Sequence, residues 1–131
     1  IRGNAANNII VGGGGADILT GGAGNDTFQF HSQYVPENPT PVGAGDLITD
    51  FVQGVDKIDI SQMAGPLFVF LNGGNAPFTL AAPEITFGWT IENGQVRTII
   101  RGDNDGDAAA EFEIKINGLI LLLLTQNDFI L

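Results

Sequence analysis

The 131-residue chain contains no cysteine, and basic residues are scarce. Without cysteine it can form neither a disulfide framework nor a thiolate metal site. Five basic residues stand against fifteen acidic ones, which gives a formal net charge of −10. This balance disfavours nucleic acid, anionic membranes and acidic polysaccharides as partners, and it favours cations.

Histidine and long apolar runs are scarce as well. His31 is the only histidine, so the chain cannot supply the H-E-x-x-H helix of a zinc protease. The longest apolar run, Leu119–Leu124, is too short to span a bilayer. We therefore expect neither catalysis nor membrane insertion. The chain begins at Ile1 without Met and shows no signal peptide, so we expect a piece of a longer protein, with any catalytic domain upstream.

What is abundant is glycine, arranged in a repeat of nine residues. The units are GNAANNIIV (Gly3–Val11), GGGGADILT (Gly12–Thr20) and GGAGNDTFQ (Gly21–Gln29). The second and third units match the pattern G-G-x-G-x-D-x-U-x, in which U is a large apolar residue. The first is degenerate, with Asn8 in place of aspartate. The apolar position is filled in four successive turns by Ile1, Ile10, Leu19 and Phe28.

The repeat predicts a six-residue turn followed by a three-residue strand, two units making one winding of a flattened right-handed coil. Glycine permits the positive φ angles that such turns need. Units eighteen residues apart would stack on one edge at roughly 4.8 Å, where aspartates repel unless a cation lies between them. Calcium suits this position because it accepts six to eight oxygen ligands. A flexible linker is the alternative, but linkers lack an apolar residue and an aspartate at fixed phase.

The stacking rule assigns ligands to the two edges. A calcium ion between the turns Gly3–Asn8 and Gly21–Asp26 would be held by their side-chain and carbonyl oxygens. Asp17 lies on the other edge, and its downstream partner must come from beyond the repeats. The candidate ligands within the repeats are Gly3, Asn4, Ala6, Asn8, Gly12, Gly13, Gly14, Gly15, Asp17, Gly21, Gly22, Ala23, Gly24 and Asp26.

These units resemble the calcium-binding nonapeptides of RTX proteins. The run GDLITDFVQGVDKIDIS (Gly45–Ser61) is similar to the segment that follows the last repeats in serralysin-type secreted metalloproteases and in the R modules of mannuronan C5-epimerases. The resemblance implies that Asp46 and Glu37 complete the calcium site on the edge of Asp17. Solvated loop acids are the alternative for both residues.

Downstream, apolar and polar residues alternate as in a β-meander, starting at ITFGWTI (Ile85–Ile91) and turning at Glu92-Asn93-Gly94. We expect Trp89 in the core rather than as a sugar platform. Along EFEIKING, Phe112, Ile114 and Ile116 would face the core, while Glu111, Glu113 and Lys115 would face water.

Two further segments each allow two interpretations. Asp103, Asp105, Asp107 and Glu111 have the alternating spacing of a calcium loop, but hairpin turns also collect Asp, Asn and Gly. The full twelve-residue EF-hand pattern is absent, so the hairpin turn is favoured. The end of the chain, Asn127–Leu131, is similar to the C-terminal secretion signal of substrates of type I ABC exporters. A closing β-strand would look the same.

The expected fold is all-β: a right-handed parallel β-roll followed by an antiparallel β-meander packed on it. Residues 1–30 would form the roll turns and residues 31–131 a C-terminal sandwich or meander part ending in the secretion signal, within one continuous domain. The resemblance implies a calcium-dependent folding and type I secretion module at the C-terminal end of a larger secreted, extracellular bacterial protein, such as a serralysin-like metalloprotease. Its partners would be calcium ions, the exporter and an upstream catalytic domain. The alternative function is polysaccharide binding, as in an epimerase R module.

Overall fold

Regular structure in the described residues is β-strand apart from one turn of 3-10 helix. The computed structural model describes residues 1–31, 45–63, 69–71, 76–81, 83–103, 105–120 and 124–131. The strands are β1 (Ile9–Val11), β2 (Ile18–Leu19), β3 (Thr27–His31), β4 (Asp46–Ile48), β5 (Lys57–Gln62), β6 (Val69–Phe70), β7 (Glu84–Glu92), β8 (Gln95–Asp103), β9 (Phe112–Asn117) and β10 (Phe129–Ile130). The 3-10 helix is Gln126–Asp128. The predicted all-β class is confirmed.

The first sheet contains parallel strands in the order β1-β3-β5-β10. Ile10 of β1 pairs with Phe28 of β3, an offset of eighteen residues that matches two nine-residue repeats per winding. Phe28 pairs in turn with Ile58, and Ile58 with Phe129. One apolar side chain from each strand therefore stacks into a row across the sheet.

The second sheet has the order β2-β4-β9-β8-β7-β6 and mixes both orientations. β4 is parallel to β2 and β9, whereas β8 is antiparallel to β7 and β9. Both sheets thus contain strands from residues 1–30 and from residues 31–131. Parallel and mixed sheets are consistent with a β-roll. The finer arrangement, a right-handed roll with a meander packed on it, and the division at residue 30 stay predictions.

Alternate residues of the strands form one hydrophobic core. The apolar residues of the second and third repeats, Leu19 and Phe28, are fully buried in it. Phe112, Ile114 and Ile116 are also buried, as predicted.

Ile1 occupies the apolar position of the repeat, but its side chain is 55% exposed. Its backbone does follow the repeat, since its amino group donates to the Ile18 carbonyl oxygen at 2.6 Å. The side chain is exposed because, among the described residues, this outermost winding has a neighbour on one side only.

The outward face of the second sheet differs from the prediction. Glu113 and Lys115 were expected in water, but they are 1% and 8% exposed. Arg101 Nε donates to Glu113 Oε2 at 2.9 Å, and Lys115 Nζ donates to Glu92 Oε1 at 2.6 Å. These charges tolerate burial because each has an oppositely charged partner across the sheet. Glu111 is half-buried.

Trp89 also differs from the prediction, because it is 50% exposed. It lies on the same side of β7 as the core residues Ile85 and Phe87, but nearer to the hairpin turn at Asn93-Gly94. β7 extends beyond the edge of the hydrophobic core at this end. Side chains on the core side of the strand are therefore no longer buried there.

Glycine is required where two turns of the repeat stack directly. A Cβ on Gly22 would collide with the Asn4 carbonyl oxygen, and a Cβ on Gly24 would lie 2.8 Å from the Ala6 carbonyl oxygen. Gly13 has a similar positive φ of 92°, but a Cβ there meets no described atom within 4 Å. The stacked glycines therefore serve close approach as well as backbone conformation.

Replacing Gly22 by alanine is expected to destabilise the fold more than replacing Gly13. Both changes force a side chain into a left-handed backbone, at about 1–2 kcal/mol, but only the Gly22 variant adds a collision with another turn. Urea unfolding of the two variants measures both losses. Equal losses would contradict direct stacking of the turns.

Candidate metal centre

The turns of the repeat are built alike, with a side-chain oxygen folded back onto the leading glycine. In the first turn, Asn8 Oδ1 accepts the Asn4 N–H at 2.8 Å and lies beside Gly3. In the second and third turns, Asp17 and Asp26 point a carboxylate oxygen at Gly12 and Gly21. A side chain on these glycines would occupy the position of the oxygen.

Turns eighteen residues apart stack on the first edge through hydrogen bonds. The Asn8 N–H donates to Asp26 Oδ1 at 2.8 Å, and the Ala23 N–H donates to the Asn4 carbonyl oxygen at 3.1 Å. Asp26 is 1% exposed. The structure thus brings together the residues predicted for this edge: Gly3, Asn4, Ala6, Asn8, Gly21, Gly22, Ala23, Gly24 and Asp26.

Asp17 has its downstream partner on the second edge. The Asp17 N–H donates to Asp46 Oδ1 at 2.7 Å, so Asp46, the first residue of β4, continues the stack. A Cβ on Gly12 would lie 2.7 Å from Asp46 Oδ2 and 3.3 Å from Asp17 Oδ2. Two carboxylate oxygens therefore converge on one glycine at the start of the turn that also contains Gly13, Gly14 and Gly15.

The Asp46 carboxylate is buried without full compensation. The residue is fully buried, and among the described residues its Oδ2 has no hydrogen-bond partner. Desolvation raises the pKa of Asp46 to about 7, the bond from the Asp17 N–H lowers it, and the Asp17 carboxylate raises it further. The solvated-acid alternative is thus wrong for Asp46. The other predicted partner, Glu37, lies outside the described residues.

Two aspartates that the repeat pattern did not identify extend the first edge, the buried Asp56 and the half-buried Asp50. Asp56 Oδ1 accepts the Asp26 N–H at 2.9 Å, which repeats the contact between Asp26 and Asn8. Asp50 accepts the N–H groups of Gly21 and Gly22 through its two oxygens, at 2.8 and 2.9 Å. A search at the repeat spacing does not find them, because β5 is offset from β3 by thirty residues instead of eighteen. The distance from aspartate to the next buried apolar residue could have identified Asp56, since Asp56 precedes Ile58 by two residues, as Asp26 precedes Phe28.

The acidic hairpin between β8 and β9 forms a compact cluster. Oxygens of Asp103, Asp105, Asp107 and Glu111 lie within 4.8 Å of one another and could hold a metal ion. The buried Asp103 carboxylate already accepts the N–H groups of Asp105, Gly106 and Ala108, at 3.1, 2.6 and 2.9 Å. These bonds explain why aspartate stands at position 103, since its side chain stabilises the turn without a metal ion.

The described part of the chain offers calcium a suitable donor set. Its oxygens come from carboxylates, amides and carbonyls, which are hard ligands. The orphaned Oδ2 of buried Asp46 is the observation that a cation would explain. His31 ends β3 and has no second histidine to share a metal with. No helix in the described residues is long and apolar enough to cross a membrane.

Known proteins match this chain in two of three comparisons. Curated proteins give no match. Among solved structures, the AlgE6R3 subunit of the Azotobacter vinelandii mannuronan C5-epimerase has 24% identity and a TM-score of 0.63, over 98% of this chain and 66% of that one. The AlgE6R2 subunit of the same enzyme has 24% identity and a TM-score of 0.46, over 99% of this chain and 91% of that one.

The structural likeness supports the fold alone, whereas the sequence defines the family. The family model for the C-terminal domain of the M10 serralysin peptidases matches residues 2–131. Because this match spans all but the first residue, the chain belongs to the peptidase M10 serralysin C-terminal family.

Proposed function

We propose that this chain is a calcium-binding module whose folding depends on calcium, and that it serves the type I secretion of a larger extracellular bacterial protein. The observation that supports this best is the fully buried Asp46 carboxylate, with an unpartnered oxygen directed at the turn that contains Asp17. An isolated buried charge is costly, and a cation between the two carboxylates removes that cost.

The second edge would bind calcium through Asp17, Asp46 and the carbonyl groups of Gly12, Gly13, Gly14 and Gly15. Glu37 is a further proposed ligand. The first edge would bind a second calcium ion through the side chains of Asp26 and Asn8 and through backbone oxygens. These backbone oxygens belong to Gly3, Asn4, Ala6, Gly21, Gly22, Ala23 and Gly24. Calcium accepts this many oxygens in flexible geometry, whereas magnesium demands a tight octahedron.

The charge of the chain suggests how calcium would control folding. At −10, with aspartates stacked in the turns, the calcium-free chain resists compaction. A chain that stays extended at the low calcium concentration of a bacterial cytosol can pass through an exporter. Outside, calcium binds only the folded state and stabilises it by mass action. Extracellular calcium modules bind at roughly 10⁻⁴ to 10⁻³ M, which suits such a switch.

The remaining parts of the proposal follow from the family. The module itself would be non-catalytic, and the catalytic domain would lie upstream in the same polypeptide, as in a serralysin-like metalloprotease. The exporter would recognise the terminal segment that includes Asp128 and Phe129. A right-handed roll would bind the calcium, and the β7–β9 meander would support it.

Polysaccharide binding is a second candidate, favoured by one observation. Trp89, Ile91 and Val96 form an exposed apolar group at the end of the β7–β8 hairpin, where an indole ring could stack on a sugar. Positive charge is poorly available for an acidic polymer. Arg101 and Lys115 are paired with glutamates, and the structure supports the calcium module better.

A calcium titration from chelator, followed by far-UV circular dichroism, tests the leading proposal. We expect a cooperative gain of β-structure with a midpoint at roughly 10⁻⁴ to 10⁻³ M calcium. Magnesium is the control and should produce little change at the same concentrations. A spectrum that is the same in chelator and in calcium would contradict calcium-dependent folding.

Replacing Asp46 by asparagine is expected to have opposite effects with and without calcium. In chelator, the raised pKa of Asp46 means that stability falls as pH rises from about 4 to about 7, because the folded state must lose a proton that it holds tightly. The variant avoids this loss and should be more stable than the parent at pH 8. In calcium it lacks a ligand charge and should lose much of the roughly 2.7 kcal/mol expected at a hundredfold excess over Kd.

Urea unfolding of both proteins in chelator and in calcium measures these differences. Asp59→Asn is the matched control, because the Asp59 carboxylate is buried but accepts bonds from Gln29 and Ser61. Its loss should be the same in both buffers. A calcium response in Asp46→Asn equal to that of the parent would remove Asp46 from the site.

The chain should pass unretained through a column of immobilised acidic polysaccharide at moderate salt with calcium present. The expected reason is the shortage of unpaired basic residues. Trp89→Ala is the diagnostic variant. Retention of the parent that is lost in this variant would favour the polysaccharide module instead.

A further inference from the structure

The last seven residues, Thr125–Leu131, are tied into the fold and are called the strap here. Asp128 is 1% exposed, and its Oδ2 accepts the Thr125 N–H at 2.8 Å and the Thr125 hydroxyl at 3.1 Å. This capping box fixes the 3-10 helix. The other oxygen, Oδ1, accepts the Gly54 N–H at 3.0 Å. One carboxylate thus joins the strap to a turn more than seventy residues earlier.

Three more contacts hold the strap, two with β5 and one with Phe70 of β6. Phe129 pairs in parallel with Ile58, and the Lys57 ammonium group donates to the Asn127 carbonyl oxygen. The Phe129 ring is 7% exposed and packs 5.0 Å from the Phe70 ring, centroid to centroid. Phe129 therefore anchors the strap in the hydrophobic core.

The contact with Gly54 connects the strap to the stacked turns. Asn8 donates to Asp26, Asp26 donates to Asp56, and the turn that Asp56 closes presents the Gly54 N–H to Asp128. These links lie on one edge of the first sheet. A hydrogen bond that ends on a buried carboxylate is stronger than a neutral one, so opening the strap alone gives up the charge-assisted bond between the Gly54 N–H and Asp128.

We propose that the strap is released only together with the roll, so that a partner protein which reads these residues can bind the unfolded chain but not the folded one. This takes from the proposed function the idea that an exporter reads the end of the chain. Folding would then withdraw the recognised segment from the exporter. Asp128 is the positioning residue that couples the two events.

Hydrogen exchange followed by mass spectrometry tests the coupling in the whole chain. The opening equilibrium of residues 126–131 is compared with that of residues 26–31 and 57–62, in calcium and in chelator. We expect the three segments to agree within about threefold in each buffer, as in one cooperative unit. Exchange of the strap more than about tenfold faster than that of the other two segments would overturn the proposal.

This readout separates the two hypotheses. If calcium changes no segment while the three still agree, the calcium proposal fails and the strap proposal stands. If calcium protects residues 26–31 but leaves the strap open, the strap proposal fails and the calcium proposal stands.

Asp128→Asn tests the coupling residue directly. The variant should speed the exchange of residues 126–131 about tenfold in calcium, while residues 26–31 keep their protection. The exposed neighbour Gln126 provides the control, Gln126→Ala, which should leave all segments unchanged. Unaltered strap exchange in Asp128→Asn would exclude Asp128 as the link. Should this variant not fold, the comparison in the parent chain still decides the proposal.

Discussion

The interaction on which the rest of this structure depends is the bond from a backbone N–H in one turn to a carboxylate in the next turn on the same edge. Asn8 with Asp26, Asp26 with Asp56, and Asp17 with Asp46 repeat it. Each bond sets the register between two windings. The apolar residues two positions later then meet in the core, as Phe28 meets Ile58. The polar edge and the hydrophobic row are two results of a single register.

The sequence was informative where its period was regular. Nine-residue phasing predicted the offset of eighteen residues between Ile10 and Phe28, and it predicted that the turns containing Asn8 and Asp26 stack on one edge. It was uninformative once the period broke, because an inserted segment changes the spacing without changing the stacking. Asp56 was missed for that reason, and Asp46 was found only through resemblance to a family.

In the antiparallel strands, the alternation of apolar and polar residues predicted which side of the sheet each side chain faces, but not how deeply it is buried. It placed Phe112 on the core side correctly, yet burial also depends on how far the core extends and on charge pairing. Trp89 lies beyond the core on the correct side. Glu113 is buried on the outward side, because Arg101 compensates its charge. The exposure of Trp89 and the burial of Glu113 both depend on residues of neighbouring strands, so the sequence of one strand alone does not predict them.

The two edges differ in what a cation would add. On the first edge the Asp56 carboxylate accepts two backbone N–H groups, from Asp26 and Val52, so protein donors already compensate it. On the second edge Asp46 has one such donor and a neighbouring carboxylate. The free energy that calcium can contribute is largest where the protein compensates least. A chain held together by the first edge alone would therefore be incomplete at the second, where calcium would supply the positive charge that Asp46 Oδ2 lacks.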